Sequence, residues 1–404
     1  MKKLLIASAA LAMVAGTAQA QSSVTVYGVV DTGFNSLETT TVAPNATAGK
    51  TKATSVSTNG EAVTSRLGFR GTEDLGGGMK ANFVVESTIG NGAATTIGNR
   101  QFWAGLEDAK LGQLRIGTQD TTNRSVFLAH DQLAFSNVVG NLSHNNAGVA
   151  NGTSTTDGAQ SAAAGAHTAF TTAINYISPR FNGVQVTLGL TQNDSKTTTT
   201  AKTGSGSQAG LNYQAGKLSL SAAYSERTTS TNLVPSTAGY CASATGAGAT
   251  VGRVAAGSAD CGTDLRISGS NSVAATDVKT KDTSAGASYD LGFARVGYIY
   301  NKTDANNSVN AATLSNVDRT SHAFSASIPL SAKLVGRVGY GFGEYRNGAT
   351  TVYNGDIKGM QAALNYNLSK RTMAYAIYGD ESREISATAK AKAKEYSVGV
   401  RHSF

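Results

Sequence analysis

The sequence contains no run of apolar residues long enough to cross a bilayer as a helix, which takes about 20 residues. Helical periodicity is also missing, and the chain has only two cysteines, five histidines and four prolines. No glycine-rich phosphate loop and no cluster of histidine and cysteine spaced for a metal is present in the sequence. These absences argue against spanning helices and give no expectation of a cofactor, a metal or ATP-driven transport.

Two further classes of function find no support. An enzyme needs a nucleophile, a base and an orienting group brought together, and no catalytic Ser–His or Asp–His arrangement stands out among the five histidines. The net charge is +8 and the pI about 9.3. The basic residues are spread along the chain and are not clustered as a phosphate-binding face would require. We therefore expect neither catalysis nor a nucleic-acid partner.

The residues that are abundant favour β-structure at a membrane. The chain has 46 glycines and 15 tyrosines together with many threonines, serines and asparagines, and its mean hydropathy is slightly negative. Such a composition is typical of strands that expose only half of their side chains to lipid.

The chain begins with the features of a secretory leader. Lys2 and Lys3 precede a short apolar segment, LLIASAALAMVAG, and Ala18 and Ala20 form an A-x-A cleavage site. The alternative, an uncleaved membrane anchor, conflicts with the shortness of the apolar segment. We predict that residues 1–20 are removed and that residues 21–404 form one domain.

The last segment, KEYSVGVRHSF, alternates between two kinds of side chain. Apolar and aromatic residues share one face, and polar residues the other; the first set is Tyr396, Val398, Val400 and Phe404. A strand with one face on lipid and one on water has this pattern. A soluble sandwich strand could show it too, but similar segments occur throughout a chain with a secretory leader. The sequence therefore predicts an all-β fold, a transmembrane antiparallel β-barrel.

Short turn signals and long polar inserts alternate between the predicted strands. The short turns are predicted at 74–78, 109–112, 179–183, 290–293, 329–332 and 369–371. The long inserts are predicted at 38–60, 121–172, 194–204, 228–281, 304–318, 347–354 and 384–392. Bacterial barrels keep periplasmic turns short and outer loops long. We expect about sixteen strands, both termini in the periplasm, and a water-filled channel.

Alternation also assigns charged side chains to the channel side. Members of this set are Asp31, Arg66, Arg70, Glu86, Arg115 and Arg337, with Tyr27, Lys80, Asn82, Arg295 and Arg401 beside them. An arginine on the lipid face costs about 2–4 kcal/mol at the midplane, which favours this assignment. Each arginine has two interpretations: it braces the wall by pairing with a carboxylate such as Glu86, or it contributes to a positive ring that favours anions. For the set as a whole we favour the second.

Residues 121–172 are too long for a hairpin connection, and long structureless connections are usually functional or disordered. The segment contains Asp131 and is rich in small polar residues. Folded into the barrel, it would narrow the channel opposite the wall arginines. The alternative is an ordinary surface loop.

Cys241 and Cys261 lie in the insert 228–281. Because a secreted chain meets an oxidising periplasm, we predict that they form a disulfide in an extracellular loop. A metal pair is the alternative, but no histidine or third cysteine lies near them in sequence.

The segment AKAKAKE places Lys390, Lys392 and Lys394 two residues apart. If the last strand extends this far, all three lie on its outer face, where they would contact anionic phosphates of lipopolysaccharide. A solvated loop is the alternative. The terminal residue, Phe404, is the expected contact with the barrel assembly machinery.

Five segments carry a family resemblance: VTVYGVVDTG, SRLGFRGTEDLGGGMKANF, NRQFWAGLED with GQLRIGTQD, and INYISPRFNGVQVTLGL. They resemble the general porins of Gram-negative bacteria, with most likeness to the beta-proteobacterial and neisserial branch. The resemblance implies a sixteen-stranded homotrimer in the outer membrane, with one pore per subunit and the third outer loop folded inside. It also implies passive diffusion of small hydrophilic solutes.

Two arginines are carried over by position. The match to SRLGFRG makes Arg66 an expected eyelet arginine, and the match to NRQ makes Arg100 another. Members of this branch often have arginine after the glycine of the fifth strand, whereas Thr118 follows Gly117 here. This departure weakens the expectation of strong anion selectivity, although Arg115 would substitute from deeper in the wall.

Two alternatives to a general diffusion channel are a structural or adhesive barrel and a substrate-specific channel. A structural or adhesive barrel would need a plug or passenger domain, for which the chain leaves no room. A substrate-specific channel is the stronger alternative, because a tight binding site is not excluded by sequence. Saturable conductance would identify it.

Overall fold

The computed structural model describes residues 23–43, 46–57, 60–90, 97–134, 136–143, 170–191, 205–231, 240–242, 253–254, 266–267, 276–307, 317–347, 353–386 and 389–404. The predicted leader and Cys261 lie outside these residues, so the cleavage site and the disulfide stay predictions. Within the described ranges, no helix has the length and apolar character needed to cross a membrane.

Strands make up nearly all of the described chain, which has one short helix. The first half contains β1 (Ser23–Ala43), β2 (Ala46–Ser57), β3 (Arg66–Gly76), β4 (Met79–Thr88), β5 (Gln101–Asp108), β6 (Gly112–Asp120), α1 (Thr122–His130), β7 (Phe170–Ile177), β8 (Val184–Thr191), β9 (Ser205–Ala215) and β10 (Leu218–Thr231). A small separate sheet follows, formed by β11 (Tyr240–Ala242), β12 (Arg253–Val254) and β13 (Arg266–Ile267). The second half contains β14 (Thr276–Asp290), β15 (Arg295–Asn307), β16 (Val317–Pro329), β17 (Leu334–Asn347), β18 (Tyr353–Asn367), β19 (Thr372–Ser386) and β20 (Ala389–Ser403).

The large sheet closes on itself through β1. One edge of β1 pairs with β20, from Val29 opposite Ser403 onward. Its other edge pairs first with β3 and then with β2, so β2 and β3 are successive parts of one wall strand. The remaining wall strands pair antiparallel in the order of the chain, with β10 pairing with β14. The result is a closed barrel of sixteen wall strands, and the predicted fold class is confirmed.

The six short turns predicted from the sequence all lie at one end of the barrel. Each of the six predicted short turns joins two consecutive strands, as expected. A seventh, at Gly216 and Lys217, was not predicted; Gly216 has φ +54°, a conformation that favours glycine. At the same end, Gly28 and Phe404 exchange two backbone hydrogen bonds of 3.1 Å. The carboxyl terminus is therefore locked beside the start of β1.

At the other end of the barrel, the long inserts predicted from the sequence include residues that belong to strands. Residues 38–60 are mostly a hairpin, because β1 runs to Ala43 and β2 begins at Ala46. In the insert 384–392, β19 runs to Ser386 and β20 begins at Ala389, and strands also enter the ranges 121–172 and 228–281. A connection between β4 and β5 was not predicted. Where a strand projects beyond the membrane both faces meet water, so the alternation that reveals a strand disappears.

Side chains alternate between two faces of the wall, as predicted. In β20, Tyr396, Val398 and Val400 are exposed whereas Glu395 and Ser397 are buried. We call the side that carries these exposed residues the apolar face. The opposite side is the polar face, which also carries Asp31, Glu86, Ser221, Ser288 and Glu381.

Candidate functional site

A cluster of charges on the polar face is centred on Glu86. Its Oε1 accepts a hydrogen bond from Arg100 Nε at 2.7 Å, and its Oε2 lies 3.8 Å from Arg66 Nε. The hydroxyl of Tyr27 also donates to Oε2, at 3.1 Å. Two guanidinium groups thus share one carboxylate. The cluster keeps a net positive charge, and both interpretations of these arginines, bracing and charge, apply to it.

Gly68 allows this cluster to form. It lies on β3 directly between Tyr27 on β1 and Glu86 on β4 in the strand register. A Cβ at Gly68 would lie 2.4 Å from the Tyr27 ring. The ring therefore crosses β3 only because the residue there has no side chain.

Two other predicted arginines lie against aromatic rings. The guanidinium carbon of Arg70 is 5.2 Å from the centre of the Tyr27 ring, and that of Arg115 is 4.3 Å from the centre of the Trp103 ring. Arg115 Nε also donates to Gln113 Oε1 at 2.7 Å. Cation–π contacts hold a charge in place without neutralising it. Arg115 is therefore held against Trp103 and Gln113 of the wall.

Asp31 lies on the polar face as predicted, but its side chain has no exposed surface. The residues 60–65 between β2 and β3 cover it: Val63 N–H donates to Oδ2 at 2.8 Å, and Ser65 exchanges hydrogen bonds with the backbone of Asp31. The Tyr375 hydroxyl donates to Oδ1 at 2.6 Å. Asp31 therefore fastens this turn to the wall.

Helix α1 begins with a side-chain cap and lies on the polar face. Thr121 Oγ1 accepts a hydrogen bond from Arg124 N–H at 3.2 Å, which satisfies one free donor of the first turn. The backbone N–H of Thr122 donates to Gln208 on β9, and Asn123 Nδ2 donates to Ser284 on β14. The helix is therefore held by side chains of two different wall strands.

The last residue of the helix, His130, is completely buried. Its Nε2 lies 2.8 Å from Ser221 Oγ on β10, and its Nδ1 lies 3.2 Å from Ser288 Oγ on β14. Burial, with a smaller effect from the positive charge of Arg295, lowers the pKa of His130 to about 4. At neutral pH the imidazole is neutral and bonded at both nitrogens.

The chain after the helix continues across the polar face. Gln132 N–H donates to Ser325 on β16 at 3.0 Å, and Arg337 on β17 donates to the Gln132 carbonyl. Asp131, predicted to line the channel, is buried. Its Oδ1 accepts from Leu133 N–H at 2.9 Å and its Oδ2 from Asn141 Nδ2 at 3.2 Å. Asp131 therefore stabilises its own turn, and Arg337 holds that turn to the wall.

Residues 138–140 are bound through their backbone. Gln361 on β18 donates to the Val138 carbonyl at 2.8 Å. Val139 N–H donates to Glu395 on β20 at 3.0 Å, and Gly140 N–H donates to Glu381 on β19 at 3.3 Å. These wall partners were not predicted, although alternation places them on the polar face, because nothing in the sequence indicates which backbone groups they meet.

The predicted residues therefore separate into two groups. We call residues 121–134 and 136–143 the crossing segment. It contacts the wall strands β9, β10 and β14 to β20, and its Asn137 also binds residues 60, 61 and 64 before β3. Asp131 lies in this segment, and Arg337 contacts it. Arg66, Arg70 and Arg115 lie on β3 and β6, and Arg100 directly precedes β5. Because strand order follows the chain around the barrel, this arginine group lies on the opposite arc of the wall.

A family model described as "Gram-negative porin" matches residues 7–386. The chain belongs to this family. Along its full length this porin is 27% identical to an outer membrane porin of Bordetella pertussis, with 100% of both chains covered. Over 89 residues it is 51% identical to outer membrane porin protein 32 of Delftia acidovorans, covering 22% of this chain and 23% of that one.

Solved structures agree with the fold of this porin. The anion-selective porin from Comamonas acidovorans superposes with a TM-score of 0.66 at 21% identity, covering 95% of this chain and 100% of that one. OmpT of Vibrio cholerae superposes with a TM-score of 0.58 at 14% identity, covering 95% and 98%. The predicted resemblance, the outer-membrane location and the role as a diffusion channel are confirmed at the level of the family.

Proposed function

We propose that this porin forms a water-filled channel with a modest preference for anions, through which small hydrophilic solutes pass down their gradients. The apolar face meets lipid, and the polar face meets water. The observation that carries the proposal is the separation of the polar face into two arcs: one holds the crossing segment, and the other holds the arginine group. We infer transport without catalysis.

The arginine group supplies the proposed selectivity. Glu86 is shared by Arg66 and Arg100, so the three side chains together carry one positive charge. Arg70 and Arg115 keep their charge because their partners include neutral aromatic rings. Rings of basic side chains favour anions in confined pores. The anion-selective character named for the Comamonas acidovorans relative supports the same sign.

We propose that the crossing segment constricts the channel. Its contacts with Ser221, Ser284, Ser325 and Gln361 are all on the polar face, which supports an inward position over a surface loop. Its carbonyls and amides are bonded to wall side chains of β16 to β20, which would hold it against the arc of the wall opposite the arginine group. The size limit for solutes would then be set between the two.

Single-channel recording in a planar bilayer tests the function. Conductance should rise in proportion to KCl concentration, and the reversal potential under a KCl gradient should favour chloride. Conductance that saturates would favour the alternative, a substrate-specific channel with a binding site. Folded protein without conductance, or a clear cation preference, would overturn the proposal.

A size-exclusion measurement tests the constriction separately. Shortening the crossing segment by removing residues 136–143 should admit larger polyethylene glycols into the pore and raise the conductance. The control is removal of the same number of residues from the insert 228–281. Equal exclusion limits for the two variants would contradict an inward constriction.

Porins related to this chain include an OmpT solved in trimer form, with a TM-score of 0.55. We propose a homotrimer, which predicts channel openings in groups of three.

Lys390, Lys392 and Lys394 are exposed on the apolar face because β20 extends to Ala389. We propose that they contact lipopolysaccharide, although Lys390 and Lys394 also pair with Glu384 and Asp380. Recognition of Phe404 by the assembly machinery likewise stays a proposal.

A further inference from the structure

We propose that the outer surface of β16 to β20 binds one anionic phospholipid of the periplasmic leaflet, with an acyl chain in a groove and the phosphate on a cluster of basic side chains. The groove has a volume of about 500 Å³ and an apolar lining. It lies on the apolar face, away from the channel, so the proposal goes beyond transport.

The groove follows from a register that places small residues between large ones. Ala362 lies between Val338 and Tyr378 on the neighbouring strands. Ala376 lies between Leu364 and Val398 in the same way. Such a sequence of small and large side chains leaves a depression in an otherwise filled surface. An acyl chain fits it because the lining offers methyl, methylene and aromatic groups.

Basic side chains lie at the short-turn end of the same strands. Lys333 is in the turn between β16 and β17, and Lys370 and Arg371 are in the turn between β18 and β19; all three are exposed. The Lys333 carbonyl accepts from Asn367 N–H at 2.8 Å, and the Arg371 carbonyl accepts from Ser403 N–H at 2.8 Å. These bonds bring the two turns and the end of β20 together. None of the three side chains has an ion-pair partner among the described residues.

The spacing between groove and cluster suits a lipid. Gly336 in the groove is three residues from Lys333, and Ala376 is five from Arg371, which corresponds to about 10–17 Å along a strand. Half of a hydrocarbon core of about 30 Å is about 15 Å. Short turns face the periplasm in bacterial barrels. The headgroup therefore belongs to the periplasmic leaflet, which distinguishes this site from the lysines of β20 at the other end.

A second groove on the apolar face provides the contrast. It lies on β1 and β3 to β6, has a volume of about 470 Å³ and includes Glu73 in its lining. Asp74 and Asp108 stand at the nearby turns, with Lys110. Among the described short turns, only the two beside the first groove form a neighbouring pair with three basic residues and no acidic residue. Charge complementarity therefore selects the first groove for a phosphate.

Native mass spectrometry of the detergent-folded porin tests the proposal, with phosphatidylglycerol titrated against phosphatidylcholine. The variant Lys333→Ser/Lys370→Ser should bind phosphatidylglycerol at least about tenfold more weakly, because each basic side chain near the headgroup contributes to anionic lipid binding. The matched control, Lys110→Ser/Lys217→Ser, removes the same charge from other short turns and should bind as the parent does. Equal loss in both variants would overturn the site.

A groove variant tests the acyl-chain half. Ala362→Leu should weaken phosphatidylglycerol binding, while Ala104→Leu, an equal enlargement in the second groove, should not. The same spectra report the oligomer mass, and heat-modifiable migration on gels reports folding of each variant. A change in oligomer mass for Ala362→Leu with lipid binding unchanged would mean that a second copy of the chain covers this surface, and would overturn the proposal.

Discussion

Arg100 and Glu86 form a buried ion pair, with Arg100 Nε 2.7 Å from Glu86 Oε1 and side-chain exposures of 2% and 7%. The backbone links the same residues, because Arg100 N–H donates to the Glu86 carbonyl at 3.1 Å. This double contact fixes the start of β5 to β4. It also holds Glu86 where Arg66 and Tyr27 reach it.

Glu86→Gln should destabilise the barrel by about 3–5 kcal/mol, because it breaks the buried ion pair with Arg100 by removing one partner. Urea unfolding followed by fluorescence measures the change. The control is Glu226→Gln: Glu226 pairs with Lys279 at 2.6 Å, but both side chains are partly exposed. An exposed pair contributes about 0–1 kcal/mol. Similar losses for the two variants would contradict a buried pair at Glu86.

Arg66→Glu should reduce the preference for chloride over potassium by at least about fivefold, since one unit charge within about 4 Å of a passing ion contributes ~1 kcal/mol in water and the substitution changes the charge by two units. The reversal potential under a KCl gradient is the measurement. Lys110→Glu makes the same change of charge at a short turn and should leave the reversal potential unchanged. An unaltered reversal potential for Arg66→Glu would remove Arg66 from the selectivity proposal.

Acid should loosen the crossing segment through His130. The folded pKa is about 4 and the ordinary value 6.5, because burial disfavours the charged imidazole. Between these values the unfolded chain binds a proton that the folded chain does not, so stability is highest above pH 6.5 and falls as the pH decreases toward 4. The loss reaches about 3 kcal/mol.

The measurement for His130 is urea unfolding at several pH values, compared between the parent and His130→Asn. The carboxylates titrate in both chains, so the difference between the two isolates the histidine. The parent should lose more stability than the variant between pH 6.5 and 4. Parallel pH profiles would show that the imidazole does not remain neutral in the folded chain.

Gly379→Ala should displace the crossing segment from β19. A Cβ at this position would lie 1.9 Å from the Val139 carbonyl oxygen, so one of the two backbones has to move. We expect a loss of about 1–3 kcal/mol, the usual cost of overpacking, and an altered single-channel conductance. Gly49→Ala is the control, because nothing lies within 4 Å of its Cβ position. Unchanged conductance in Gly379→Ala would contradict a constriction formed by this segment.

The sequence anticipated local features well. Alternation identified the faces of β20 and β10, and short turn signals located six short turns, because both depend on neighbouring residues alone. The sequence-based predictions failed where neighbouring residues carry no such pattern. The sequence predicted a loop where β1 ends and β2 begins, since threonine-rich strands that project into water on both sides lose the alternation. The turn at Gly216 was missed between two continuous strand patterns.

The candidate site also has features that the sequence predicted and features that it did not. Alternation placed Arg66, Glu86 and Arg115 on one face, and the family motifs singled out Arg66 and Arg100. Neither indicated that Asp31 and Asp131 would be buried under turns. Burial of these carboxylates depends on residues far apart in the chain, such as Tyr375 for Asp31 at 2.6 Å.

The sequence by itself determined the β-barrel, its approximate strand number, the side of the wall on which each charge lies, and the family. Those properties follow from a two-residue period, from turn residues and from local motifs. Only the tertiary structure decided which charges meet: that Arg100 and Arg66 share Glu86, that Arg337 holds the crossing segment, and that Glu381 and Glu395 bind its backbone. Closure of the barrel brings these residues together, and no short-range pattern encodes a contact across it.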